Sequence, residues 1–162
     1  MLKGLSEAPT AALVIGVAVT APFVAGAFAM VLGPPAVVIN TYLRLADYAA
    51  IGLAFIGAVH WGLAMAAGAR GEKVGWARYA VSVLPAACAF LALALIGPIP
   101  KFLLLLLGYF GVFMLDVRAV ADGLAPSWYG RLRKPLSVVV LVSLGVVLMV
   151  VARASLGPDS AA

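Results

Sequence analysis

The chain is a series of long apolar runs separated by short polar connectors. Five runs approach or exceed the roughly 20 residues that an α-helix needs to cross about 30 Å of hydrocarbon. No run alternates apolar and polar residues as a membrane β-strand does, and backbone polar groups inside a bilayer must bond to one another. The pattern therefore predicts an all-α polytopic membrane protein with five transmembrane helices, at residues 11–33, 48–68, 79–96, 102–117 and 136–154.

Glycine and proline separate these runs, and two connectors carry more than turn residues. Residues 36–47 mix apolar side chains with Asn40 and Arg44, which predicts a short helix lying at the membrane interface. Residues 118–134 hold aromatic rings beside basic side chains. Since both residue types favour the headgroup level, we expect this connector to be an interfacial anchor.

Composition supports a membrane location. Apolar residues make up 65% of the 162 residues and charged residues only 10%, whereas soluble domains average about 25% charged residues. The mean hydropathy is +1.17. The single cysteine, Cys88, excludes an intrachain disulfide. We therefore exclude a soluble enzyme of the usual kind, a disordered tail and a secreted disulfide scaffold.

The basic residues divide unequally between the two sides that five crossings define. Eight lie with the N-terminus, Lys3 among them, and three lie on the other side. Basic residues are retained in the cytoplasm during insertion, so we expect a cytoplasmic N-terminus and a periplasmic C-terminus in a bacterial inner membrane. The mitochondrial inner membrane is the alternative. Because the basic residues lie in short connectors, the net charge of +5 predicts no nucleic-acid partner.

The cytoplasmic connectors also predict contacts with lipid. Basic side chains attract anionic headgroups, and aromatic rings favour the same depth. The residues that we expect to contact lipid headgroups are Arg70, Lys73, Arg78, Trp128, Tyr129, Arg131, Arg133 and Lys134.

Ionisable residues inside the membrane are the main candidates for chemistry, because burying them is costly unless they are paired. His60 lies in the second span beside Trp61, and Asp116 and Arg118 close the fourth. The predicted topology puts His60, Asp116 and Arg118 in the inner half of the bilayer. His60 could ligate haem or metal, relay a proton with Asp116, or donate a packing hydrogen bond. A metal site would need more ligands, so we expect none, and no cofactor follows from the sequence.

Small residues recur every four positions along the second span. Such a face lets helix backbones approach closely in a membrane. We expect Ala54, Ala58, Gly62 and Ala66, together with Ala50, to pack against small residues of the third and fourth spans; the abundance of alanine in the chain is the alternative explanation.

Several segments match a known pattern: residues 57–64 with His-Trp-Gly at their centre, Leu84-Pro85, Leu115-Asp116 and Pro126-Ser127-Trp128-Tyr129 followed by residues 131–133. They resemble the inner-membrane family that includes transmembrane protein 69. The resemblance implies a five-helix inner-membrane protein and carries no assigned reaction. Residues 127–135 are also similar to the Trp-Tyr…Lys-Pro motif of tryptophan-rich sensory proteins, where the motif lies near the first helix instead of the fifth.

Two functional hypotheses follow. The first is a non-enzymatic accessory subunit or assembly factor that packs against a larger respiratory or photosynthetic complex. The second is a membrane protein that binds a quinone, porphyrin or lipid, or handles a proton, at His60, Trp61, Asp116 and Arg118. A channel is a third possibility, which would require an oligomer because five helices with so few polar residues cannot line a pore.

Overall fold

The computed structural model describes residues 8–157, and every regular element in that range is an α-helix. All five helices are long and apolar enough to cross a membrane. This confirms the predicted fold class, an all-α protein with five membrane-spanning helices. The helices are α1 (Thr10–Leu32), α2 (Pro35–Ala69), α3 (Trp76–Ala94), α4 (Pro98–Ala121) and α5 (Ser127–Leu156).

Proline and glycine set the helix boundaries. Pro35 and Pro98 each stand in the first turn of a helix, where the missing N–H has no intrahelical partner to lose. Gly97 adopts φ +97° between α3 and α4, a conformation that residues with a Cβ rarely adopt. The α4–α5 connection is closed by Gly123 at φ +72°, while the Leu124 N–H donates to the Ala119 carbonyl at 2.9 Å. The proline positions, the two glycine conformations and this hydrogen bond keep the connections between helices short.

The predicted interfacial helix at residues 36–47 is not separate, and this prediction is wrong. It is the first third of α2, which runs unbroken for 35 residues. A helix of that length extends about 52 Å, well beyond the roughly 30 Å of hydrocarbon. No proline or glycine interrupts residues 36–47. Leu45 and Ala46 are buried, and their packing against neighbouring helices stabilises the helical conformation of this segment.

The predicted anchor at residues 118–134 is also helical over most of its length. α4 continues to Ala121 and α5 begins at Ser127, which leaves a connection of only five residues. Pro135 therefore lies inside α5 and does not bound a connector. The helices therefore continue past the apolar runs, because no residue stops them there.

The five helices form a closed ring in chain order, with α1 also against α5 and with α2 touching α4 across the centre. The core at this crossing is built from Phe23, Leu53 and Tyr109, each less than 5% exposed. The Tyr109 hydroxyl donates to the Ala49 carbonyl at 2.9 Å, and its ring meets Phe23 edge-on at 5.6 Å between centroids. Helices from both halves of the chain are thereby joined at mid-bundle.

Close packing of α2 follows the predicted face only at its start, where Ala50 is buried. Ala54 is half-buried, but Ala58, Gly62 and Ala66 are exposed, and a Cβ at Gly62 would meet no atom within 4 Å. A strict four-residue repeat rotates by about 40° per step, because each residue turns the helix by about 100°. The repeat therefore moves off one face. The small residues that α2 buries mix spacings of three and four: Ala46, Ala49, Ala50, Gly57, Ala64 and Ala67.

Gly57 is a point of close approach between α2 and α3. A Cβ there would lie 2.8 Å from Pro85 Cβ and 3.0 Å from the Ser82 carbonyl oxygen. Only a glycine allows the two backbones this separation, and the glycine lies three residues before His60. The close contact therefore fixes the position of the α2 segment that carries the histidine.

Candidate functional site

One end of the bundle collects most of the basic side chains, and we call it the basic end. α2 and α4 finish there, and α3 and α5 begin there. The polar residues in the terminal turns of these four helices therefore lie at the same end of the bundle. Its basic residues are Arg70, Lys73, Arg78, Arg118, Arg131, Arg133 and Lys134. Lys3, which entered the predicted charge count, lies outside the described residues.

Asp116 is the buried centre of a polar cluster at the basic end. It lies five residues before the end of α4 and is 2% exposed. A buried carboxylate in a membrane-spanning helix is strongly destabilising unless charge and hydrogen bonds compensate it. Three side chains from two other helices lie against it.

Two of these side chains come from the first turns of α5. The Tyr129 hydroxyl donates to Asp116 Oδ1 at 2.7 Å, and Arg133 Nε donates to Asp116 Oδ2 at 2.8 Å. Residues four apart lie on the same face of a helix, so both side chains approach the carboxylate together. Hydrogen bonds to an ionised group are stronger than neutral ones, and the Arg133 side chain is only 17% exposed. The contacts join α5 to α4.

The third side chain is His60 of α2. Its Nε2 lies 3.2 Å from Asp116 Oδ1, and the side chain is 10% exposed. The N–H direction does not meet hydrogen-bond geometry, so Nε2 is buried without a hydrogen-bond partner among the described residues. Buried polar atoms in proteins are nearly always bonded. His60 Nε2 therefore lies beside the carboxylate without an aligned hydrogen bond to it.

The structure brings His60 and Asp116 together but not the other two residues assigned to the same candidate site. Arg118 is exposed, and the basic partner of Asp116 is Arg133. Residues two apart on a helix point about 200° from each other, so Arg118 cannot turn to the same side as Asp116. Trp61 is 45% exposed and packs edge-on against Tyr79 with 5.2 Å between centroids. Asp116 therefore pairs with Arg133 and not with Arg118.

Tyr129 and Arg133 were expected to contact lipid headgroups, and the structure instead turns both inward. Their four-residue spacing was visible in the sequence, but it identifies a shared face only when the segment is a helix. The composition of residues 118–134 predicts a connector, for which the spacing has no such meaning. The buried Asp116 decides the orientation, since no other acidic side chain lies within ion-pairing distance of Arg133 in the described chain.

The remaining residues of the expected headgroup set stay near the surface of the basic end. Arg70 pairs with Glu72 at 2.9 Å, and Arg78 lies 3.8 Å from Asp122. Trp128 is half-buried, with its ring 6.3 Å from that of Tyr129. Lys73, Arg131 and Lys134 are exposed. Lipid contact for these residues stays a prediction.

Two clefts flank the polar cluster. One, of about 100 Å³, lies between α4 and α5 and has Asp116 in its wall. The other, of about 230 Å³, lies between α2, α3 and α4 and has His60 in its wall. We call the second the His60 cleft. Its polar and charged lining residues are His60, Arg78, Arg118 and Asp122, and its larger apolar lining residues are Leu63, Val81, Leu115 and Leu124.

Residues 8–157 contain no group of three or more His, Cys, Asp and Glu side chains that could hold a metal ion. Cys88 lies away from the cluster and donates from Sγ to the Leu104 carbonyl at 3.5 Å, joining α3 to α4. The side chains that meet at the site, His60, Asp116, Tyr129 and Arg133, offer hydrogen bonding, charge and exchangeable protons.

The sequence matches a family model over residues 8–149, that of DUF3429, a protein family of unknown function. The chain belongs to this family. No curated protein and no solved structure shows a significant match. The segment matched to DUF3429 includes the whole polar cluster and both clefts.

Proposed function

We propose that this DUF3429 protein is a non-enzymatic membrane protein that binds a small ligand at the polar site around His60 and Asp116. One observation carries the proposal: His60, an ionisable side chain whose Nε2 lies 3.2 Å from the buried Asp116 carboxylate, lines an open cleft. A ligand in that cleft would contact the exposed part of the imidazole, while the buried Nε2 stays beside Asp116. The ligand is a quinone, a porphyrin or a lipid, with proton exchange between the two residues as the alternative use of the site.

Asp116 and Arg133 act in this proposal as positioning residues. The carboxylate holds the imidazole at 3.2 Å, and the guanidinium offsets the carboxylate charge at 2.8 Å. Because Arg133 neutralises the charge of Asp116, a ligand can bind in the cleft without an uncompensated negative charge being exposed in the bilayer.

Identification of co-purified molecules tests the proposal. Wild-type protein purified in mild detergent is expected to carry an extractable small molecule, detected by mass spectrometry of an organic extract and by absorption if the molecule is coloured. His60→Gln should lose it. Trp61→Phe is the matched control, because Trp61 neighbours His60 in sequence but does not line the cleft. Identical extracts from all three folded proteins would refute ligand binding at His60.

A second function, that of an accessory subunit or assembly factor in a respiratory or photosynthetic complex, is favoured by the outer face of α2. Ala58, Gly62 and Ala66 are exposed small residues, and such a face lets another transmembrane helix approach closely. Gly62→Leu should weaken co-migration with a large complex on native gels, and Gly111→Leu is the control, since a Cβ there also meets no atom within 4 Å. Undiminished co-migration, or a monomer with no partner in native membranes, would argue against this function.

We also propose which membrane holds the protein, how its termini are oriented, and that it is related to the transmembrane protein 69 family. The seven basic residues gathered at the basic end support a cytoplasmic basic end, an N-terminus on that side and a periplasmic C-terminus in a bacterial inner membrane; the mitochondrial inner membrane is the alternative. The resemblance to the transmembrane protein 69 family supports both locations.

Thiol labelling in whole cells tests the orientation. Ile96, which is 98% exposed, lies in the α3–α4 connection, and Glu72 lies in the α2–α3 connection. In a Cys88→Ser background, Ile96→Cys should react with a membrane-impermeant reagent, and Glu72→Cys should react only after permeabilisation. The opposite labelling pattern would reverse the orientation.

A further inference from the structure

We propose that the His60 cleft binds the phosphate headgroup of an anionic phospholipid, whose acyl chains remain in the bilayer. This inference rests on the proposed ligand site and names the ligand class. It differs from general attraction of lipid to the basic end, because it assigns the headgroup to one cleft and to particular side chains.

The charges around the cleft favour an anion. Arg78 and Arg118 both line it, against a single aspartate, Asp122. Asp122 lies 3.8 Å from Arg78, at the outer limit of an ion pair, so it leaves the arginine free to bond a phosphate at closer range. The nearby Asp116 carboxylate contributes little net charge, because it is bonded to Arg133. The balance of charge at the cleft is positive.

The start of α3 adds to this balance. Ala77 and Arg78 line the cleft from the first turn of the helix, which begins at Trp76. The first turn of a helix carries N–H groups without intrahelical partners and the positive end of the helix dipole. The cleft therefore has two arginine side chains and the start of a helix in its lining. This combination suits the binding of phosphate oxygens.

The depth of the cleft points to a lipid as the source of the phosphate. Trp76 is 81% exposed beside the cleft, and exposed tryptophans favour the headgroup level of a membrane. The cleft lies between α2, α3 and α4, and its charged lining residues Arg78, Arg118 and Asp122 stand at helix ends, on the basic end of the bundle. A headgroup at this level can reach the cleft while the acyl chains of the lipid stay in its leaflet.

The size and lining of the cleft agree with a partly bound amphiphile. Its volume of about 230 Å³ is below the roughly 300–1,000 Å³ of sites that enclose a whole small molecule. Leu63, Val81 and Leu115 line it next to the charged groups, so glycerol and the first methylene groups can lie against an apolar wall. His60 lines the same cleft and is 10% exposed.

Retention of lipid by matched charge variants tests the inference. Wild type, Arg118→Gln and Lys73→Gln are reconstituted with phosphatidylcholine containing a fixed fraction of phosphatidylglycerol, and retained lipid is counted by native mass spectrometry. Both variants remove one exposed positive charge at the basic end, but Lys73 does not line the cleft. Arg118→Gln should reduce phosphatidylglycerol retention about fivefold, the effect of one basic residue near a membrane surface. Lys73→Gln should change it much less.

The other outcomes overturn the inference. Equal losses in both variants would mean attraction to the whole basic surface, and no loss in either would mean that the cleft does not hold an anionic lipid. Displacement of the lipid by millimolar inorganic phosphate would assign the cleft to a free anion. If the lipid result is negative but the His60→Gln extract lacks some other molecule, the proposed ligand site survives and only its assignment to phospholipid fails. If both results are negative, both fail.

Discussion

Removal of the charge at Asp116 is the most informative perturbation of this bundle. Asp116→Asn preserves the size of the side chain and leaves Arg133 without its counter-charge. The Asp116 side chain is 2% exposed and that of Arg133 is 17% exposed, so the guanidinium would remain mostly buried in a membrane protein with nothing to neutralise it. We expect α5 to be held less firmly against α4.

The magnitude follows from the burial of the pair. Breaking a fully buried ion pair by removing one partner costs about 3–5 kcal/mol. Arg133 lies seven residues into α5, near the basic end, and an arginine in this position can extend toward headgroups and water. We therefore expect Asp116→Asn to lower the free energy of unfolding by about 2–3 kcal/mol, with part of the loss coming from the weaker Tyr129 hydrogen bond.

A double-mutant cycle measures the interaction itself. Asp116→Asn, Arg133→Gln and the double variant are unfolded by sodium dodecyl sulfate in mixed micelles, and helicity is followed by circular dichroism. Because the double variant has no unpaired charge, its loss should be smaller than the sum of the single losses by about 2 kcal/mol. Lys134→Gln, one residue along and exposed, is the control and should change stability by less than about 0.5 kcal/mol. Additive effects within about 0.5 kcal/mol would refute the argument that this pair fixes α5.

Two further predictions concern the packing that positions the site. Gly57→Ala should destabilise the bundle by about 1–3 kcal/mol in the same unfolding assay, because its Cβ would lie 2.8 Å from Pro85 Cβ; Gly62→Ala, in open space, should be neutral, and equal effects would contradict the assigned α2–α3 contact. Tyr109→Phe should cost about 1 kcal/mol, because it removes the 2.9 Å hydrogen bond to the Ala49 carbonyl, and unchanged stability would show that this bond contributes nothing net.

The candidate site was partly predictable. His60 and Asp116 stand out in the sequence because ionisable residues are rare inside apolar spans, and five crossings bring their helix ends to the same side. Tyr129 and Arg133 lie among basic and aromatic residues at the edge of a span, and this composition predicts contact with headgroups. Composition indicates the depth of a side chain in the membrane, but it does not indicate the direction in which the side chain points.

The small residues of α2 likewise do not indicate the direction in which they point. Alanine and glycine along the second span correctly indicate that α2 packs closely, yet only its neighbours select the face that is buried, so that Gly57 is enclosed while Gly62 is open. The helix ends are a further example of what composition does not indicate. The apolar runs predict spans at residues 48–68 and 136–154, whereas α2 and α5 extend beyond these bounds.

The sequence by itself determined the class, the number of helices and the main breaks, because hydrophobic length and the lack of water in a bilayer act on each segment separately. Only the tertiary structure decided which cation bonds Asp116, which face of α2 is buried and where a cleft opens beside His60. These depend on the rotation of each helix about its axis, which is fixed by contacts between helices distant in the chain and leaves no periodic signal in any one of them.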